Sequence, residues 1–363
     1  MNFQRMDAPD MNIKPRYAAS NLSSFATQLL EASGLAAERA RIVAEVLVEG
    51  DLLGHTTHGL HLLARYLREI AQGEMNLVGD PDTVSDRGAA LAWDGKRLPG
   101  PWLLSQALGL AMKRAGTHGL CTVVIRRSHH IGCLAAYLKR ATDRGLVIML
   151  MCSDPSQATV APFGGMRPLY TPNPIAFGYP TSGSPVLIDV STSTTTNGLT
   201  ARLQKEGAQL DHPWLIDSEG IPSCDPSVLS TEPPGAILPL GGIDSGHKGF
   251  ALALMVEALT SGLGGFGRAD EAAGWGASVF LQVIDPACFG GTAAFCREAD
   301  WLTDAARNTP APTGKAAVRL PGERGLARRA EQLTHGVALA SGIMSALLPW
   351  AERFGVVPPP VMA

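Results

Sequence analysis

Apolar residues at helical spacing dominate both ends of the chain. Residues 22–33 and 36–53 repeat apolar side chains every three or four positions, with Arg and Glu between them, which predicts two amphipathic helices. The same spacing predicts a third helix over 54–73 and two more from residue 323 onward. Because neither end looks like a complete domain, we expect the N- and C-terminal helices to pack together around an adjoining mixed sheet.

The middle of the chain changes to the pattern of an α/β protein. Residues 121–151 are typical of a strand, a turn, a helix and a second buried strand in series. In such units ligands bind beyond the carboxyl ends of the strands, which puts His130, with Ser128 beside it, where a substrate could be met. The alternative is that His130 only caps the following helix.

Other stretches extend this α/β pattern. Apolar runs predict strands at 186–190 and 279–285, and helical spacing predicts helices at 102–117 and 250–263. The run of six hydroxyl side chains at 191–196 is either a helix cap or the lining of a polar ligand site. A Pro- and Ala-rich stretch, 299–315, is expected to be a flexible linker.

Candidate chemistry occurs on the predicted third helix. His58, Leu62 and Tyr66 are four residues apart and would share one helix face. His55, His58 and His61 follow in steps of three, which drift around a helix, and no H-E-x-x-H pair is present, so no metal site is expected. The alternative for His58 is a structural role at a helix start.

Two glycine-rich segments resemble nucleotide-binding motifs without matching them. Residues 262–267 read G-x-G-x-x-G but follow a predicted helix instead of a strand, so we interpret them as a helix stop. Residues 241–248 differ from a P-loop because His247 intrudes before Lys248. His247 and Lys248 at a helix N-terminus would suit a phosphate, and Lys248 starting a helix in solvent is an equal alternative.

Composition narrows the class of protein. The chain has 363 residues, 45% of them hydrophobic and 17% charged, with a net charge of −3 and no dense basic run. We therefore expect a globular protein with a small-molecule substrate and with no nucleic-acid or membrane partner. Six cysteines without a C-x-x-C pair, and no apolar stretch of membrane-spanning or signal-peptide length, predict a cytoplasmic protein. Residues 1–16 are expected to be a flexible tail.

Taken in order, several short motifs amount to a family resemblance. They are GHTTHGLHLLARYL, RSHHIG, APFGG, NPIAF, LIDVSTS, LPLGG, HKGFALAL and LPGERG. From about Leu22 to Val356 the chain resembles the malate/L-lactate dehydrogenases, a family that includes ureidoglycolate, sulfolactate, diketogulonate and cyclic-imine reductases. The resemblance implies a non-Rossmann nicotinamide-binding fold and a homodimer with shared active sites. It also implies hydride transfer between NADPH or NADH and a 2-oxo acid or related imine.

The resemblance also implies roles for individual residues. His130 matches the S-x-H-x-G histidine, which implies the general acid, and His58 and Tyr66 match the substrate-side pair of the first motif. Thr57, Leu62 and Ser128 are expected to contact substrate. Positions expected to border the cofactor are Pro162, Gly164, Gly165, Asn173, Asp189, Ser193, His247, Lys248 and Gly249.

The resemblance further implies two domains. Residues 17–120 with 320–356 would form a discontinuous helical and dimerisation domain, and 121–319 would form a cofactor-binding mixed-sheet domain.

Three departures from the family pattern leave two functions open. Leu62 stands where relatives have an arginine that grips a substrate carboxylate, and Pro172 and Leu199 also differ from the usual residues. One hypothesis, which Leu62 favours, is an active NAD(P)H-dependent reductase whose substrate is less acidic than usual, such as a cyclic imine or an amide-bearing ketone. If another cation replaces the arginine, the substrate can still be a 2-oxo acid. The other is a paralogue that keeps the fold and serves as a binding or structural subunit without turnover.

Overall fold

The computed structural model describes residues 15–362, and this part of the chain forms ten α-helices. A single π-helical turn, residues 258–262, extends the seventh of them. The helices are α1 (Ala19–Ala32), α2 (Ala37–Leu53), α3 (Leu63–Ala71), α4 (Gly100–His118), α5 (Ala135–Thr142), α6 (Asn197–Glu206), α7 (Gly242–Glu257), α8 (Thr292–Arg307), α9 (Glu323–His335) and α10 (Ile343–Phe354).

Twelve strands accompany the helices in the described range. They are β1 (Arg16–Tyr17), β2 (Asp82–Asp86), β3 (Ala90–Asp94), β4 (Leu120–His129), β5 (Val147–Ser153), β6 (Ile175–Tyr179), β7 (Val186–Val190), β8 (Leu215–Ile216), β9 (Pro222–Ser223), β10 (Ala236–Ile237), β11 (Gly276–Ile284) and β12 (Val337–Ala338). Seven of them form one large sheet, and the other five, of two residues each, form a two-stranded sheet and a three-stranded sheet.

The central sheet has seven strands in the order β2-β3-β4-β11-β5-β6-β7. β3 and β4 are parallel, and every other neighbouring pair is antiparallel. β11 lies between β4 and β5 and is antiparallel to both, so the predicted strand-helix-strand unit is split by a later strand. The predicted mixed α/β fold is therefore confirmed.

Two apolar cores flank this sheet and the helices. The first joins α1, α2 and α3 to α10, with Leu22, Leu47, Leu67 and Leu347 almost completely buried. The second lies between the sheet and the helices α4 and α5, around Tyr137. β1 and β12 pair, so the two ends of the described chain meet. β2 and β3 share one sheet with β4 to β7, and the proposed two-domain division stays a prediction.

Several element boundaries differ from the predictions. The helix predicted over 54–73 begins only at Leu63, and residues 54–62, which we call the histidine loop, are turns and one 3₁₀ turn. The loop leaves the helical path because Gly54 ends α2 in the left-handed conformation (φ 89°) and Asp51 accepts the Leu60 N–H.

The predictions for the linker and for two of the later helices also need correction. α8 covers residues to Arg307, so the linker prediction for 299–315 is wrong over its first half; Ala-rich sequence with buried Ala299 and Thr303 suits a helix. α6 was not predicted, and α7 begins eight residues before Phe250. The predicted tail at 1–16 falls almost entirely outside the described residues. None of the helices in residues 15–362 combines the length and the hydropathy needed to cross a membrane.

Candidate active site

A cavity of about 810 Å³ opens between the histidine loop, the end of β4, the β7–α6 connection and the start of α10. Its size is within the usual range for a small-molecule site. The side chains of His58, His130, Asp189 and Trp275 lie in its wall. Residues far apart in sequence thus meet at one concave surface.

His130 follows β4 directly, as predicted, and its ring is held at Nδ1. The Tyr66 hydroxyl lies 3.0 Å from this atom and also donates to the His130 carbonyl oxygen at 3.1 Å. The Gly132 N–H donates to Nδ1 at 3.2 Å. Because Nδ1 accepts a hydrogen bond, the neutral ring carries its proton on Nε2. α5 has no side-chain cap and its Ala135 N–H is bound by Asp189, so the helix-cap alternative for His130 is not observed.

Aromatic rings fix the plane of the His130 side chain. Trp275 stacks on it with ring centroids 4.2 Å apart and an interplanar angle of 22°, and the His58 ring lies 6.0 Å away. The guanidinium carbon of Arg65 is 3.6 Å from the centre of the Trp275 ring, a cation–π distance. α3, β4 and the segment before β11 therefore converge on one imidazole.

The proton affinities of these groups follow from their burial. Burial, reinforced by the charge of His58, lowers the pKa of His130 well below its usual value. Burial also lowers the pKa of His58 to about 4 and raises that of Tyr66 far above its usual range. At neutral pH both imidazoles are therefore uncharged and the tyrosine is protonated.

His58 is positioned by its loop and not by a helix. Its Nδ1 lies 2.9 Å from the Thr57 hydroxyl, and its N–H donates to the His55 carbonyl oxygen. α6 packs closely on this loop at Gly198, where an added Cβ would approach the Thr57 side chain to 3.0 Å. His58 and Tyr66 do not share a helix face: the loop places His58, and α3 places Tyr66, beside His130.

The predicted substrate-contacting residues divide into two groups. Thr57 and Leu62 line the cavity, although most of the Leu62 side chain is buried in the helical core. Ser128 is 1% exposed, its hydroxyl donates to the His129 carbonyl oxygen, and it does not line the cavity, so its contact with substrate stays a prediction that these observations do not support. The cavity wall also carries positive charges that the sequence did not point to: Arg65, Arg68 and Lys205.

Three of the predicted cofactor residues lie in or behind the cavity wall. Asn173 and Asp189 line it, but the Asn173 amide is occupied, accepting from Thr171 at 2.7 Å and donating to Glu257 at 3.0 Å. Ser193 is buried and donates to the Thr195 carbonyl oxygen. The neighbouring Thr196 caps α6, so the cap alternative for the hydroxyl run holds there.

The other six predicted cofactor residues lie outside this cavity wall. They form a separate group in which Phe163 of the APFGG turn contacts His247, with ring centroids 5.6 Å apart. The sequence predicts His247 and Lys248 at a helix N-terminus. Because α7 begins at Gly242, they lie instead in its second turn. Their contact with a cofactor stays a prediction. The residues in this group are Pro162, Gly164, Gly165, His247, Lys248 and Gly249.

Comparison with known proteins places this geometry in a family. Residues 17–348 match the family model described as malate/L-lactate dehydrogenase. The hydroxycarboxylate dehydrogenase B of Escherichia coli (strain K12) is 29% identical over 354 residues, covering 94% of this chain and 95% of the relative. A Δ1-pyrroline-2-carboxylate/Δ1-piperideine-2-carboxylate reductase of Pseudomonas syringae pv. tomato is 32% identical over 328 residues, covering 86% and 90%.

A solved structure agrees with the sequence relatives. The malate dehydrogenase of Pyrococcus horikoshii OT3 has a TM-score of 0.85 at 27% identity, covering 97% of this chain and 99% of that one. The chain therefore belongs to the malate/L-lactate dehydrogenase family of NAD(P)-dependent oxidoreductases, which confirms the family, enzyme class and nicotinamide cofactor that the motifs predict.

Proposed function

We propose that this protein transfers a hydride between NADPH or NADH and the C=O or C=N carbon of a small substrate, with His130 moving the accompanying proton. The observation that carries the proposal is the His130 ring, oriented by Tyr66, Gly132 and Trp275 at the wall of the cavity. The cavity fits a nicotinamide because apolar groups such as Leu134 alternate in its wall with polar groups. Bound cofactor supplies or takes up the hydride.

Tyr66 can serve both proton states of His130. In the neutral ring with Nε2–H, the hydroxyl can donate to Nδ1 across 3.0 Å. In the imidazolium, Nδ1–H donates to the same hydroxyl oxygen, whose proton turns to the His130 carbonyl oxygen at 3.1 Å. During reduction, the imidazolium gives its Nε2 proton to the carbonyl oxygen or imine nitrogen and becomes the neutral ring with Nδ1–H, which donates to the Tyr66 hydroxyl oxygen. During oxidation, this Nδ1–H tautomer takes the substrate proton back at Nε2.

The lowered pKa of His130 affects the two directions differently. The neutral ring can accept a hydroxyl proton at Nε2 once its own proton lies on Nδ1, whereas reduction requires the ring to be protonated first. An anionic group on the substrate would favour the imidazolium, because opposite charges in a buried site stabilise each other. Reduction therefore suits a substrate that brings its own negative charge.

The cavity wall holds Asp154 and Asp189, but its cationic side chains outnumber them, which supports an acidic substrate. Leu62 cannot bind a carboxylate, but Arg65 lies one helical turn further along, lines the cavity, and contacts the Trp275 ring that stacks on His130. Arg68 and Lys205 add positive charge to the same wall. We propose a 2-oxo acid or a cyclic imine that bears a carboxylate, and the Pseudomonas relative, named for two such imines, supports the second class. A less acidic derivative is the alternative.

We also propose the homodimer with shared active sites. α7 and its neighbours expose apolar side chains, with Leu254 49% and Ile243 48% exposed, beside the group that contains His247 and Lys248. Covering this surface with a second subunit would bury it and could bring that group to the partner's cavity. Light scattering should give twice the chain mass, and Leu254→Glu should shift it toward the monomer.

The central test separates proton transfer from cofactor binding. His130→Ala should lower kcat about a hundredfold or more on a panel of 2-oxo acids and cyclic imines. Titration of NADPH and NADH, followed by their fluorescence, should give the affinity of the unmodified protein. His61→Ala, which changes an exposed histidine of the same rim, is the matched control and should keep its turnover.

Two results would contradict the proposal. Unchanged turnover in His130→Ala would assign the proton to another group, with His58 the next candidate. Binding of both cofactors without turnover of any ketone or imine by the unmodified protein would favour the alternative, a binding or structural subunit that keeps the fold.

A further inference from the structure

Three metal-ligating side chains meet at one side of the cavity, apart from the groups that orient His130. They are His55 of the histidine loop, Cys133 just before α5 and Asp189 at the end of β7, and their ligand atoms all lie within 4.8 Å of one another. The Cys133 Sγ is 3.9 Å from the Asp189 Oδ2. Three separate parts of the chain therefore place nitrogen, sulfur and oxygen donors around one point.

The acidic ligand of this cluster is already oriented by the backbone. The Asp189 Oδ2 accepts the Ala135 N–H at 2.9 Å, and Cys133 is buried beside it. A bound cation would stabilise the carboxylate and the thiolate together.

We propose that His55, Cys133 and Asp189 bind a borderline-soft divalent cation, best represented by Zn²⁺. Imidazole nitrogen, thiolate sulfur and carboxylate oxygen are the ligands that zinc takes in proteins. With bonds of about 2.0–2.3 Å, tetrahedral ligand atoms lie roughly 3.3–3.8 Å apart, so the three side chains must close by about 1 Å. Binding releases the Cys133 thiol proton to solvent, and the fourth position opens to the cavity.

The evidence for this metal site does not depend on the proposed hydride transfer. The expectation of no metal rested on the spacing of His55, His58 and His61, and only His55 of those three takes part here. The other two ligands come from distant parts of the chain, which helical spacing cannot reveal. Because Asp189 and Cys133 belong to the cavity wall, a bound ion would occupy space that substrate or cofactor needs. Zinc bound there would therefore inhibit the enzyme.

The test measures the metal itself. Full-length protein, freed of metal by a chelator, is dialysed against micromolar Zn²⁺, and the bound metal is counted by mass spectrometry. We expect one ion per chain. Cys133→Ser and His55→Ala should each weaken binding about a hundredfold or more, since even a group behind the ligands commonly matters tenfold to a hundredfold. The matched controls, Cys152→Ser and His61→Ala, change a cysteine and a histidine of the same cavity and should bind zinc normally.

Cobalt gives a second readout that does not depend on activity. Co²⁺ in the site should show a thiolate-to-metal charge-transfer band that is present in Cys152→Ser and absent in Cys133→Ser. Far-ultraviolet circular dichroism shows that each variant is folded, and Cys133→Ser is nearly isosteric. No zinc on the unmodified protein, or equal zinc affinity in Cys133→Ser, would overturn the proposal.

Discussion

Asp51 offers a measurable link between the histidine loop and stability. It is 3% exposed, its Oδ2 accepts the Leu60 N–H at 2.7 Å, and its Oδ1 has no hydrogen-bond partner among the described residues. Gly59 packs on the carboxylate so closely that an added Cβ would lie 2.4 Å from it. Burial raises the pKa of Asp51 from 3.8 to about 7, although the Leu60 N–H and the charge of Arg328 oppose this.

The sign and size of the effect follow from this pKa. Because the folded protein holds the proton more tightly than the unfolded chain, the contribution of Asp51 to stability is greatest below pH 4 and is lost as the pH rises to about 7. At about 1.4 kcal/mol for each pH unit between the two pKa values, this loss is about 2 kcal/mol at pH 5, where only the unfolded chain is ionised, and about 4 kcal/mol at pH 8. Asp51→Asn can keep the Leu60 bond and cannot ionise. Its stability relative to the unmodified protein should therefore rise by about 2–3 kcal/mol from pH 5 to pH 8.

Equilibrium unfolding in urea at pH 5 and pH 8 measures this difference. Any constant cost of the asparagine amide cancels, since only the change between the two pH values is compared. Asp94→Asn is the matched control: burial opposes ionisation of Asp94, but Arg127 and Arg126 outweigh it and lower the pKa of Asp94, so this variant should show no such pH dependence. An equal effect of Asp51→Asn at both pH values would refute the reasoning.

Three further variants test the active site. Tyr66→Phe removes the hydroxyl 3.0 Å from the His130 Nδ1, and kcat should fall about tenfold with unchanged cofactor affinity, as measured by steady-state kinetics and fluorescence titration. Arg65→Met should raise KM for 2-oxo acids about tenfold or more, whereas Arg68→Met should have a smaller effect, because Arg65 contacts the Trp275 ring that stacks on His130. If Lys248 contacts phosphate, Lys248→Met should lower the affinity for cofactor and make that affinity less sensitive to salt. Equal affinity and equal salt dependence in both proteins would mean that Lys248 is only a solvent-exposed helix residue.

The local patterns that the sequence could predict are those set by neighbouring residues. The strand that ends at His129, the turn at His130 and the helix from Ala135 follow from β-branched residues, a glycine and helical spacing. Contacts between residues far apart in the sequence were harder to predict. Trp275 lies in a stretch without periodicity. Its stacking on His130 depends on the position of β11 between β4 and β5 in the sheet.

Errors arose where a tertiary contact overrides local spacing. The histidine loop has helical spacing, but the buried Asp51 carboxylate takes the Leu60 N–H and delays the helix to Leu63. A serine after a strand is usually exposed, but Ser128 pairs with Ala277 of β11 and is buried. Motif matching, in contrast, identified the family because a series of short motifs retains its order even when single positions such as Leu62 change.

The insertion of β11 between β4 and β5 also affects how the chain can fold. Gly276 pairs with His129, so the turn that carries His130 has a neighbour 147 residues later in the chain (276 − 129). Contacts between residues so far apart in the sequence form slowly, because the entropy of closing a long loop is lost before the contact contributes any stabilising energy. During synthesis, the edges of β4 and β5 that later pair with β11 would stay unpaired until β11 emerges. Unpaired strand edges of this kind favour aggregation. Proton-transfer geometry at His130 should therefore appear among the last events of folding, together with closure of the central sheet.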